Sequence, residues 1–390
     1  MWPRQCDAQQ VGLNQTGTLP NLLRLPVTLR CGTWWALLFA LLAITLTFAG
    51  CTPDPVPGTP LPQSRIIGGP GMEPGRFARP RCIDADATTL WIIDRAAKVQ
   101  RFDPATGLCI QWFVMPESQL GKPTGITVAP SPAGDGSLCL YLADTHYSRI
   151  VVYQIPPLPD GFVPGDTALL PQRVTPTEVL RFGTYGHGDG QMIYPTDVAV
   201  ITLADGKTVD RIYVTEYGGH DRVNCFDAKG AFRFAFGTFG VPTTGDAADS
   251  SFNRPQSIAV LHTPKQGKTS DTEANQLLIT DSVNGRLGLF SLDGQPLRWL
   301  TASTLPNGTT LPFSHPRGIA TLPDQTVLIV EFGANRVQHI NPLTGACLGV
   351  WGRGGRGTGD LAEPWDLARI GKTSFIVDAS NHRIVVADIP

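Results

Sequence analysis

Val350-Trp-Gly-Arg-Gly-Gly-Arg-Gly-Thr-Gly-Asp-Leu-Ala-Glu-Pro364 contains Gly352-x-Gly354-x-x-Gly357, the spacing of a dinucleotide-binding loop. Such a loop needs a strand before it and a helix after it, with a phosphate on the helix N-terminus. Here the glycines run into Pro364 and another short apolar run without helical periodicity. The same joint recurs: Gly183-Thr-Tyr-Gly-His-Gly-Asp-Gly190 leads to Pro195, and Gly68-Gly-Pro-Gly71 with Gly75 leads to Pro80. The glycines turn the chain, and nucleotide binding is set aside.

Behind each joint stands one repeating unit. A proline opens an apolar run at Pro80-Arg-Cys-Ile, Pro123-Thr-Gly-Ile, Pro195-Thr-Asp-Val, Pro255-Gln-Ser-Ile, Pro316-Arg-Gly-Ile and Pro364-Trp-Asp-Leu. A second apolar run ends in an acid, and a base four to six residues later opens a third. The acid–base pairs are Asp94 with Lys98, Asp144 with Arg149, Glu216 with Arg222, Asp281 with Arg286, Glu331 with Arg336, and Asp378 with Arg383. Six copies of four short strands (A to D) predict an all-β, six-bladed β-propeller with four-stranded antiparallel blades, whose apolar faces are buried by radial stacking.

These residues resemble NHL repeats, most closely at Asp281-Ser-Val-Asn-Gly-Arg286, Glu331-Phe-Gly-Ala-Asn-Arg336 and Asp378-Ala-Ser-Asn-His-Arg383. The first blade, with Lys98 in place of arginine, matches least well. The resemblance spans residues 64–390 and implies the same propeller. The last repeat stops at strand C, and Ser64-Arg-Ile-Ile-Gly-Gly69 resembles the D strands of other blades. An N-terminal strand is therefore expected to complete blade six and lock the ring. In this topology the D–A and B–C turns share one face, and the A–B and C–D turns the other. The A–B segments 130–137, 203–210 and 262–276 and the proline-rich C–D excursion 156–178 are expected on the second face. Residues 237–253 are the one long D–A insertion expected on the first.

Composition narrows the function. A formal net charge of −2 gives no basic field for nucleic acid. Some NHL propellers bind RNA through a basic face, and here the neutral balance and an export signal argue against that partner. Residues 1–50 carry Arg24 and Arg30, the apolar stretch 33–48, and Ala49-Gly50 before Cys51. That pattern reads as a signal peptide of the lipoprotein type, with an uncleaved membrane anchor as the alternative. Phe48-Ala-Gly-Cys51 resembles the bacterial lipobox, with Phe48 where leucine is usual, and implies lipidation at Cys51. Residues 51–63 are rich in proline and read as a tether holding the domain at the membrane of a bacterial cell envelope. Cys82, Cys109, Cys139, Cys225 and Cys347 follow, with no pair at C-x-x-C spacing, so no zinc knuckle or haem attachment is encoded. They read as buried small apolar residues, and the sequence assigns no disulfide.

The acid–base pairs are read as structural, because every blade needs the same turn. Binding then falls to the residues beside them that no two blades share: His146, Tyr147, Tyr217, His220, Phe332 and His382, with His187 and Trp365 on adjoining D–A loops. Such side chains suit a protein, a peptide or a glycan. The alternative is a metal-dependent lyase or a lactonase-like propeller. In the peptide-amidating lyases of the NHL group the zinc histidines follow the blade-opening proline. Here those positions hold Arg81, Thr124, Thr196, Gln256, Arg317 and Trp365. A divalent cation would fall instead to Asp197 and Asp366, two residues after their prolines, and two carboxylates do not make a site. No catalytic residue is assigned: neither Gly-x-Ser-x-Gly nor His-Glu-x-x-His occurs.

Overall fold

The computed structural model describes residues 56–389 apart from residue 169 and residues 243–248 and 263–274. The signal segment, Cys51 and the first part of the tether lie outside the described residues, as do most of segment 262–276 and part of segment 237–253.

The ring is a six-bladed β-propeller whose innermost A strands are Pro80–Ala85, Gly125–Pro130, Tyr194–Thr202, Pro255–His262, Pro316–Thr321 and Pro364–Ile370. Each pairs antiparallel with its B strand, B with C, and C with D. The B strands are the most apolar and the most buried; every residue of Leu90–Asp94 and Val327–Glu331 is enclosed. They are covered on both faces, so no polar alternation survives. The six large core clusters each straddle two blades. Ile92 and Phe102 of blade one join Phe375 and Val386 of blade six, while Tyr141 and Val152 of blade two join Ile212 and Phe226 of blade three. Burial thus couples neighbours all round the ring, and removing a fully buried ring such as Phe290 costs about 3–5 kcal/mol.

Closure follows the expected route. Arg65–Gly68 pairs antiparallel with Arg383–Asp388, Ile67 opposite Ile384, as the fourth strand of blade six. The folded unit takes in part of the tether as well: Leu61 is buried in the core between blades five and six and donates its N–H to Gly359 O (3.0 Å). The D–A joint has a common geometry, a short parallel bridge between Pro70 and Phe77, Thr184–Tyr185 and Gln191–Met192, or Gly354 and Leu361. At Gly352 (φ 103°) the left-handed turn lets the chain pass within hydrogen-bond reach of Thr59 O (2.6 Å). Where blades converge the backbones nearly touch, and a Cβ on Gly125 would lie 2.5 Å from Thr196 O.

Two expectations are corrected. The excursion 156–178 does not remain on the second face. It reaches back to blade one, where Gln172–Arg173 pairs parallel with the outer strand Cys109–Val114. Gln111 also donates to Pro157 O (2.7 Å), and Gly165 N–H to Asp103 (2.8 Å). An uncovered outer strand presents free N–H and C=O groups, and the excursion answers them. Residues 237–253 are not the one long D–A insertion either: residues 301–315 form another, built on the hairpin Ala302–Thr304 with Thr310–Pro312.

Candidate functional site

The turn pairs form as the repeat predicts. Side-chain nitrogen lies 2.8 Å from oxygen in Arg149–Asp144, 2.7 Å in Arg222–Glu216, 2.8 Å in Arg286–Asp281, 2.6 Å in Arg336–Glu331 and 2.7 Å in Arg383–Asp378. All five acid side chains are enclosed. Their second interactions explain the recurrence. Glu216, Asp281, Glu331 and Asp378 each accept a backbone N–H from the D–A loop ahead, those of Ile193, Asn253, Ser314 and Ala362. The arginines donate back to carbonyls of the same loops, Arg222 to Gly188 and Gln191, Arg383 to Arg356, Gly357 and Asp360. The pair therefore fastens the B–C turn to the D–A loop of its own blade. Lys98 does the same with a shorter reach: 3.9 Å from Asp94, it donates to Met72 O, Glu73 O and Arg76 O. Asp144 departs from the pattern, since its Oδ1 has no partner among the described residues. Burial pushes the Asp144 and Asp281 carboxyls up to about 6, against the pull of their arginines.

Along the axis the A strands enclose a channel of about 470 Å³. Among the described residues their inner edges have no neighbouring strand, and carboxylates answer some of their N–H groups. Asp366 accepts from Ile83 N–H (2.9 Å) and the Cys82 thiol (2.7 Å), Asp84 from Val128 N–H (2.7 Å), and Asp197 from Ile258 N–H (3.0 Å) and the Ser257 hydroxyl (2.6 Å). Each contact reaches the next blade of the ring. Burial pushes these carboxyls up, Asp366 to about 8 with Asp197 adding to it, Asp84 to about 7 and Asp197 to about 6. Asp197 and Asp366, the sequence's cation candidates, are thus engaged by backbone. Among the described residues no three His, Cys, Asp or Glu side chains converge as metal ligands. All five described cysteines are buried and unpaired.

At the D–A end of the channel the structure gathers aromatic and cationic side chains. One run goes from His146 to Tyr194 (ring centroids 5.7 Å apart), Tyr217 (5.2 Å) and Arg254, whose guanidinium carbon is 4.6 Å from the Tyr217 centroid. The other joins Phe332, Trp365, Arg317 and Arg81. Phe332 meets Trp365 edge-on at 5.9 Å; Arg317 lies 4.0 Å from the Phe332 centroid and 3.6 Å from that of Trp365, and Arg81 3.9 Å from the latter. Burial lowers the pKa of both Arg81 and Arg317, and Arg254 of the other run adds to it in each.

Four of the expected residues, His146, Tyr217, Phe332 and Trp365, belong to this mouth. Trp365 is not on a loop but is the second residue of strand A in blade six, and it is buried. The rest sit on the rim. His187 and His220 pair at 5.1 Å. The Tyr147 hydroxyl accepts Leu120 N–H (3.2 Å), and His382 Nδ1 accepts Arg79 N–H (3.0 Å), joining blades six and one. Arg81 and Arg317 are what sequence reasoning misses. They occupy the position after the proline in blades one and five, flanking Trp365 in blade six; a search of those positions for histidine alone passes over them.

No family model matches the chain. It is 27% identical over 158 residues to the protein brain tumor of Drosophila melanogaster, a match covering 40% of this chain and 12% of that protein. The chain thus spans about an eighth of the relative it matches. Among solved structures it is similar to a streptogramin B lyase (TM-score 0.47, 13% identity, 83% of this chain and 97% of that one). It is also similar to virginiamycin B lyase of Staphylococcus aureus (0.48, 13%, 84% and 99%) and to a Bacteroides caccae protein of unknown function (0.42, 13%, 82% and 83%).

Proposed function

We propose that the chain is an NHL-type propeller that acts as a binding module, held at a bacterial envelope membrane through lipidated Cys51. Its partner is another envelope protein, a peptide or a glycan. The carrying observation is the cluster at the D–A end of the channel, where aromatic faces and arginines gather in two neighbouring runs. Aromatic and arginine side chains are the residues through which protein surfaces gain most of their binding energy. The turn pairs around the cluster are consumed in holding the blades, which leaves the mouth as the chemically open part of the face.

The test is crosslinking in native membranes followed by capture of the propeller, comparing wild type with Tyr217→Ala. Tyr217 is half-buried and its strand neighbours carry the blade, so the variant should fold and recover far less crosslinked partner. Equal recovery by both would move the site elsewhere. Labelling with a fatty-acid analogue tests the anchor: wild type is expected to be marked and Cys51→Ser not.

A further inference from the structure

A buried guanidinium is tolerated when acceptors surround it and is costly when they do not. Arg317 is 6% exposed, and its Nε and Nη1 have no hydrogen-bond partner among the described residues. Its neighbours worsen its position: burial, then Arg254 and Arg81, hold its pKa well below the ordinary range. Glu363, the acid that raises it, is already paired with Arg79. Arg81 Nε is likewise buried and without a partner, and so is the indole Nε1 of Trp365, which both arginines overlie. Four donor nitrogens on these three neighbouring side chains therefore have no acceptor among the described residues.

We infer that the mouth of the channel binds a carboxylate, held by Arg81 and Arg317 with the Trp365 indole N–H beside them. An ionised carboxylate has about four lone-pair acceptor sites, and the planar guanidinium matches it with two parallel hydrogen bonds. A bound carboxylate supplies acceptors to donors that have none and neutralises a cluster that otherwise repels itself. The aromatic walls of Trp365 and Phe332 favour a carboxylate carried on an organic body, such as a peptide C-terminus or an acidic side chain. This inference rests on the mouth being the partner-binding face, and it names the group of the partner that enters.

The probe is N-acetylglycine, with N-acetylglycinamide as its neutral match and inorganic phosphate as the competing oxyanion, titrated while the Trp365 indole N–H resonance is followed. N-acetylglycine should shift that resonance saturably, and the amide should not. Arg317→Met should weaken the carboxylate on the order of tenfold or more, as loss of a charged hydrogen bond does, and should not lower Tm. A response to the amide equal to that of the acid, tighter binding of phosphate, or no saturable shift in folded protein would each overturn the assignment. Crosslinking separates the two readings. Partner lost in Tyr217→Ala but no response to N-acetylglycine leaves the binding face standing and removes the carboxylate. A response to N-acetylglycine with capture unchanged in Tyr217→Ala does the reverse.

Discussion

Arg286 at a turn and Arg317 at the channel mouth are 3% and 6% exposed, on the same face of the ring. Their nitrogens end differently. Arg286 donates to Asp281, to Asp249 and to Ser251 O, while its guanidinium lies 3.6 Å from the Trp299 centroid. Arg317 has the same aromatic cover from Trp365 and, among the described residues, no acceptor for its Nε or Nη1. Arg101, Arg149 and Arg222, the other buried arginines among the described residues, side with Arg286, each facing an acid. Burial alone therefore does not separate a residue that holds the fold from one that the fold holds open. The count of satisfied donors does.

The largest effect should come from breaking the satisfied set. Arg286→Ala leaves Asp281 enclosed without its cation, and the unfolding free energy from urea denaturation should fall by about 3–5 kcal/mol. An unchanged midpoint would make the turn pairs dispensable and erase the contrast. The channel acids should come next. Asp366, Asp84 and Asp197 are raised to about 8, 7 and 6, above their ordinary unfolded value near 4. Their protonated forms are favoured by folding, so this contribution is fully present below about pH 4 and is lost progressively as pH rises from about 4 to 8. Tm should decline over that window, and Asp366→Asn should flatten the decline; a Tm that rises from pH 5 to 8 and is indifferent to Asp366→Asn would contradict this. A smaller effect tests the pattern within the turns. Asp144 lacks the loop N–H that Asp281 accepts from Asn253. Asp144→Asn should therefore cost about 1 kcal/mol less than Asp281→Asn, one hydrogen bond's worth.

What the sequence discloses follows the same division. Whatever every blade requires is written six times, so the blades, the glycine joints, the turn pairs and the closing strand Arg65–Gly68 could all be read from periodicity. Segments that serve one blade escape it. Nothing in residues 156–178 says that Gln172–Arg173 will cross to the outer edge of blade one, because their partner is fixed by ring geometry rather than by the repeat. The hairpin after Leu300 is hidden for the same reason, and Leu61 looks like tether until its pocket between blades is seen. The mouth lies between the two cases. Its positions are periodic, but its residues differ from blade to blade. The available signal was adjacency around the closed ring, arginine in blade five, tryptophan in six, arginine in one, which appears only after the ends of the chain are joined.

The most direct measurement is the thermal midpoint of Arg317→Met beside that of Arg286→Met, in one buffer without added carboxylates. Methionine keeps much of the apolar stem and removes the charge in both. Arg286→Met should melt several degrees below wild type, since an enclosed acid loses its partner. Arg317→Met should melt at or above wild type, since a buried guanidinium with two unpartnered nitrogens is removed. Equal destabilisation of the two variants would mean that Arg317 supports the fold as Arg286 does, and the account of an open mouth would be wrong.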